Sequence, residues 1–252
     1  MADWRSPAEL VERGFARSRL VLMNEAHSGR ARCVRTRVLG RSLLPVAHRL
    51  GVRHLAMEAL WDRGVAERAN EMRSLEEPLD GYLGQPEMRA LVATALDLGW
   101  TLHAYEAPID VIRRRTGPET RADVNWREDR QARNLAAVMH GLEDGDKVLA
   151  WCGNGHLTRR PVTADFGGTT ETWTPMGSLV EGYCGIAPFA IDQTITVPWG
   201  GCEPDWLEPF ADELRMRGGS AGLLAASLPA ELAWLGESAD AYVLSLDNAL
   251  VG

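Results

Sequence analysis

The sequence predicts an α/β fold: a mostly parallel central sheet with helices on both faces. Two observations carry that expectation. Short apolar runs ending in polar residues alternate along the chain with longer stretches whose apolar residues have helical spacing, the pattern of parallel strands joined by helical crossovers. The 252 residues, 45% hydrophobic and 25% charged, have ordinary globular composition and a length that one undivided core accommodates.

Taken in order, a helix over 7–16 precedes a first strand, RLVLMNEAH, at 19–27. A helical pattern over 33–50 leads to VRHLAMEA at 52–59, and helices over 64–74 and 86–98 flank a loop at 77–85. The third strand is TLHAYEA at 101–107, followed by a long loop at 108–124 and a helix over 125–141. KVLAWCGNGH at 147–156 is the fourth strand, and a second long loop covers 158–173. WTPMGSLVEGY reads as a helix start, 188–196 as a strand, 197–204 as a loop, DWLEPFADELRMRG as an amphipathic helix closed by glycine, and 241–246 as a final strand. With no internal repeat, low-complexity tract or long linker, a single domain is expected over 1–252.

Charge and composition narrow the function. A net charge of -8 without a block of lysine or arginine argues against nucleic acid or an anionic membrane as the main partner. No signal-peptide core opens the chain and no run approaches the roughly eighteen apolar residues of a membrane span, so a cytoplasmic protein is expected. Cys33, Cys152, Cys184 and Cys202 lack paired metal-ligand spacing and read as free thiols. Composition leaves the oligomeric state open.

In open α/β sheets ligands bind beyond the carboxyl ends of the strands. Four consecutive strands here end in Glu25 and His27, in Glu58, in Glu106, and in Asn154 and His156. Burying four unpaired ionisable groups is costly, so a shared polar pocket explains them better than four separate caps or core histidines. His48, His54, His103 and His140 fall in helical patterns, at a strand start or on the opposite face, and read as structural.

Several of these segments resemble the erythromycin-esterase-like and ChaN-like superfamily. NEAH is similar to its GExH or GExxH opening, with Asn24 in place of glycine. AME ending at Glu58, REDRQARNL from Arg127 to Leu135 with Glu128 for Asp and Gln131 for Met, VLAWCGNGHL, TPMGSLVEGYCGIAPFAID and ADAYVLSLD match further family phrases in order, across roughly 19–246. The resemblance implies an α/β pocket and a metal-independent hydrolase acting on a bulky natural product such as a macrolide or modified peptide, with links to antibiotic resistance. His27 would be the general base, oriented by Glu25, two residues away, or by Glu58, from the adjacent strand. Arg35 or Arg37, and Arg127, would neutralise carboxylates or an oxyanion. His156 and Glu106 would complete the site, and Gly153 and Gly155 would let backbone approach a ligand. A GxSxG elbow is absent, which favours activated water over covalent catalysis. Two alternatives stay open: a non-hydrolytic tailoring enzyme of cyclisation, elimination or epimerisation, and a ChaN-like protein binding haem or a divalent metal.

Of the nine tryptophans, Trp61, Trp126, Trp151 and Trp173 lie beside the proposed site segments; Trp61, Trp151 and Trp173, with Asn154 and Arg35, are the expected contacts to a bulky small-molecule or peptide substrate. The loops at 108–124 and 158–173 follow strands that end in Glu106 and His156, and are expected to form a mobile cover.

Overall fold

The computed structural model describes the chain except residues 1, 28, 29, 62, 77, 80, 114–118, 167, 168, 198–207, 237 and 247–252. A capping box starts helix α1 (Pro7–Arg17): the Ser6 hydroxyl takes the Glu9 amide, and the Glu9 carboxylate takes the Ser6 amide. The chain continues through β1 (Leu20–Glu25), α2 (Arg30–Arg49), β2 (Val52–Met57), α3 (Arg63–Met72), a short 3-10 turn at Gly81–Gly84, α4 (Pro86–Asp97) and β3 (Thr101–Ala104). It then forms α5 (Ile109–Arg113), α6 (Arg121–His140), β4 (Lys147–Gly153), a hairpin of β5 (Val162–Phe166) and β6 (Thr169–Trp173), α7 (Met176–Cys184) and β7 (Phe189–Val197). Helix α8 (Glu208–Met216), β8 (Ser220–Leu224) and β9 (Ala241–Leu246) follow.

Seven strands form one sheet in the order β3-β2-β4-β1-β7-β9-β8. Every neighbouring pair is parallel except β8 with β9. The α/β class expected from the sequence is therefore what the chain adopts. The parallel strands are apolar on both faces because each face is covered. Val21, Met23, Leu55, Met57, Leu149 and Trp151 pack into one layer with residues of α1, α2, α3 and α4. Leu20, Leu22, Ala56, Val148, Ala150 and Cys152 point the other way, into a layer with α6, α7 and α8. This two-residue alternation is the strand period read directly as two cores.

Strand boundaries expected from the apolar runs hold to within a few residues. The departures lie between the expected strands. The 158–173 segment contains the β5–β6 hairpin, in a two-stranded sheet of its own, and β8 appears where no strand is expected. Both are short; Val162, Ala164 and Phe166 do alternate with Thr163 and Asp165 in β5, but five residues are few to detect, and β6, TTETW, is polar at every position but its last. Within 108–124, α5 is short and residues 114–118 lie outside the described residues.

The strand order also changes one expected neighbour relation. Strands β1 and β2 are not adjacent: β4 lies between them, so Glu25 and Glu58 face one another across the end of β4. Sequence succession suggested direct pairing, but the β1-to-β2 crossover skips one position and the later β4 fills it.

Candidate functional site

At the end of β1, the buried Glu25 carboxylate is held by a two-pronged Arg37 guanidinium, with Nε at 2.6 Å and Nη2 at 3.2 Å. The Trp151 indole N–H donates to the same carboxylate at 3.2 Å. His27 Nε2 lies 3.3 Å from Glu25 Oε1, and the His27 side chain remains 32% exposed. Burial pushes Glu25 toward the neutral acid, but hydrogen bonds from His27, Arg37 and Trp151 outweigh it and hold the carboxyl below its ordinary value. An Nε2–H pointing at Glu25 leaves His27 Nδ1 as the nitrogen that accepts a proton.

His27 rests over Gly153. A Cβ added at Gly153 would lie 2.3 Å from His27 Cε1 and 2.8 Å from Nε2, so only glycine at the end of β4 lets groups from β1 and β2 meet across it. The Gly153 amide donates to Glu58 Oε2 at 2.6 Å, and Arg127 Nη2 donates to Glu58 Oε1 at 2.7 Å. The same Arg127 grips Glu106, through Nε at 3.2 Å and Nη2 at 2.5 Å, while Gln131 and the Ala107 amide complete the Glu106 shell.

His156 stands between two acids, with Nδ1 2.9 Å from Glu128 Oε2 and Nε2 3.6 Å from Glu58 Oε1. Burial lowers its basicity, yet the two carboxylates prevail and raise its pKa to about 9, making it an imidazolium at neutral pH. Burial raises Glu58, but His156, Arg127 and the Gly153 amide pull it below the ordinary carboxylate range. The resulting cluster pairs carboxylates with fixed cations and leaves His27 as its exposed ring.

The structure thus brings together Glu25, His27, Glu58, Glu106, Arg127 and His156, as the strand-end argument expected. It moves others. Arg35 is fully buried and has no surface turned to solvent; of the two arginines, Arg37 of α2 is the one that pairs with Glu25. Trp151 is also buried and supports Glu25 rather than facing solvent. Trp173 donates to Glu128 at 2.8 Å and covers Gly155, where a Cβ would meet the indole at 2.5 Å. Gly153 and Gly155 accordingly admit this chain's own rings rather than a ligand. The Asn154 carbonyl accepts from Asn24, and the residue is exposed. Trp61 lines an open cavity beside Glu106.

Glu128, Gln131 and Tyr82 were not singled out as site residues. Glu128 and Gln131 lie on the α6 stripe that continues as Leu135 and Met139, all buried; acids and amides on an otherwise apolar stripe were the available signal. Tyr82 stacks on His27, with ring centroids 5.0 Å apart and 23° between planes. Its distance in sequence from His27 gave no such signal.

The expected mobile cover at 158–173 is tied down. Asn125 on α6 donates to the Thr172 carbonyl at 2.8 Å and accepts from the Thr174 amide at 2.9 Å, and Arg121 lies 3.7 Å from Glu171. Among the described residues, no group of three or more His, Cys, Asp and Glu side chains is arranged to hold a metal ion. No described helix is long and apolar enough to cross a membrane.

No family model and no curated protein matches the chain. Among solved structures it is similar to RRSP, a MARTX toxin effector domain from Vibrio vulnificus CMCP6, at TM-score 0.54 and 15% identity. That match covers 75% of this chain and 36% of the other, and a structure described as bacterial protein toxins gives TM-score 0.52 at the same identity and coverage. The chain therefore spans about a third of the length of these proteins. The type III effector HopBA1 has TM-score 0.47 and 14% identity over 98% of both chains.

These findings overturn the resemblance to erythromycin-esterase-like and ChaN-like proteins, and with it the macrolide esterase, haem-binding, natural-product tailoring and antibiotic-resistance readings. The short phrases behind that resemblance have local physical causes. Asn24, in place of the family glycine, bridges the Asn154 carbonyl at 2.6 Å and Asp192 at 2.9 Å and accepts the Gln193 amide at 2.9 Å. Glu128, in place of aspartate, holds His156, Trp173 and the Met176 amide. Such short patterns follow from closing strand ends around a polar cluster and do not identify a family.

Proposed function

We propose that this chain is a catalytic domain of effector type whose chemistry is proton transfer by His27. The observation that carries the reading is the line Arg37–Glu25–His27: a buried ion pair fixes a carboxylate against one imidazole nitrogen while the ring stays open to solvent. That arrangement holds the tautomer and supports the positive charge His27 acquires on taking a proton. The His156 imidazolium and Arg127 lie on the far side of Glu58, where they counter negative charge developing in the pocket. Fold likeness to toxin effector domains supports the effector setting, and the geometry supports the acid–base role.

The reading is tested by producing the chain inside a eukaryotic host cell under an inducible promoter. Wild-type protein is expected to arrest growth, and His27→Ala to relieve the arrest, consistent with a loss of turnover on the order of 10²–10⁴. Equal arrest by both proteins at equal abundance removes the catalytic role, and no arrest by the wild type removes the effector one.

A further inference from the structure

A cavity of about 970 Å³ opens beside the ionic cluster, on the carboxyl-end side of β2 and β3. Its walls include Ala59, Trp61, Leu79, Leu83 and Ala104, with Glu106 at its inner side. The volume is that of a site for a sizeable organic group.

Two chains of contact join this cavity to His27. Along one, Glu106 is gripped by Arg127, Arg127 grips Glu58, and Glu58 takes the Gly153 amide beneath the His27 ring. Along the other, Trp61 meets Tyr82 edge to face, with centroids 6.4 Å apart and planes at 81°, and Tyr82 stacks on His27. One aromatic layer thus divides the cavity from the imidazole.

The charged and amide side chains that line the cavity, Arg63, Glu106, Asp110 and Asn134, are already engaged. Glu106 accepts from Arg127, Gln131 and the Ala107 amide; Asn134 donates to the Tyr105 and Glu106 carbonyls and accepts from Arg63. A charged occupant would have to displace these bonds and shed its own hydration. An apolar occupant has to do neither, and gains contact with Trp61, Leu79 and Leu83.

We infer that this cavity is the specificity pocket of the site and receives an uncharged, ring-bearing apolar group of the substrate, with the Trp61–Tyr82 wall setting the reacting bond against His27. The inference rests on His27 being the reacting group. Its test does not require turnover.

Indole serves as the probe, with binding followed by saturation-transfer NMR and competition measured against benzamidine, a cation, and benzoate, an anion. Wild-type protein and His27→Ala are expected to bind indole alike and to prefer it to both charged probes by tenfold or more. Ala104→Phe, which projects a ring into the cavity from β3, is expected to weaken indole binding by tenfold or more. Val65→Trp, placed on the half-buried face of α3, does the same if Ala104→Phe fails to fold. Equal indole binding by wild type and a folded cavity-filled variant, no binding to wild type, or equal preference for a charged probe overturns the pocket. Growth arrest that depends on His27 without indole binding sinks the pocket alone; indole binding without that dependence sinks the catalytic reading alone.

Discussion

His156 shows how a single position turns burial to advantage. An isolated buried histidine gives up its proton, but Glu128 and Glu58 reverse the balance and raise its pKa to about 9. With the folded pKa above the unfolded value, the stabilisation is complete below the unfolded pKa and is lost as pH rises through about 9. Wild type is therefore expected to exceed His156→Gln in unfolding free energy by about 1.5–3 kcal/mol near neutral pH, the scale of a hydrogen bond to a charged group. That margin should shrink as the medium is taken from neutral pH up to about 9 and be largely gone above it, which urea titrations across the range measure. A margin independent of pH would remove the imidazolium from the account. At this scale the sequence was legible wherever a polar residue ended an apolar run: Glu25, Glu58, Glu106 and His156 announce themselves that way. Tyr82 does not, and Arg37 stands only as an alternative to Arg35, because their roles depend on how the Gly81–Gly84 turn and α2 pack around the end of β1, which periodicity leaves undetermined.

Helix α6 does the most to order the site as an element. Its Thr120–Asp123 capping box fixes where the helix begins, and that phase decides which residues face the sheet. Arg127, Glu128, Gln131 and Asn134 then meet the strand ends, while Leu135, Ala136 and Met139 continue the same side as ordinary core. Strands β2 and β3 hold a different pair. His54 Nδ1 lies 3.0 Å from His103 Nε2, where burial and then His54 lower His103 to about 4. Burial lowers His54 too, against Asp146. A base whose folded pKa is depressed protects the fold above its unfolded value of 6.5, and that protection is lost as pH falls toward 4. His103→Gln is accordingly expected to lose less thermal stability than wild type between about pH 7 and pH 4.5, as scanning calorimetry reads directly; parallel losses would refute the pair's role. The sequence reads both histidines as structural, since strand alternation turns His103 to the opposite face from Glu106.

Over the whole molecule, the labour is divided across the sheet. Strands β3, β2, β4 and β1 deliver the candidate site, whereas β7, β9 and β8 are framework. The β8 edge is sealed by the chain start: Arg5 pairs with Gly222 in an antiparallel bridge, exchanging bonds of 2.9 and 2.7 Å, and Leu10 of α1 packs over Gly222. A Cβ at Gly222 would lie 2.5 Å from Leu10 Cδ1, so Gly222→Ala is expected to cost about 1–3 kcal/mol by overpacking. Its indole binding should remain wild-type, which chemical denaturation and the NMR titration check together. The alternation of apolar runs made this architecture legible down to most strand limits. It did not reveal the placement of β4 between β1 and β2, because the order of strands depends on crossovers that local patterns do not encode.

The interposed β4 has a consequence for charge. With Gly153 removing any side chain between them, the strand-end acids Glu25, Glu58 and Glu106 come together with Glu128 of α6, and Arg37, Arg127 and His156 are interleaved among them. The cluster is thus a cage of opposed charges closed on the protein side, and it meets solvent through the ring of His27.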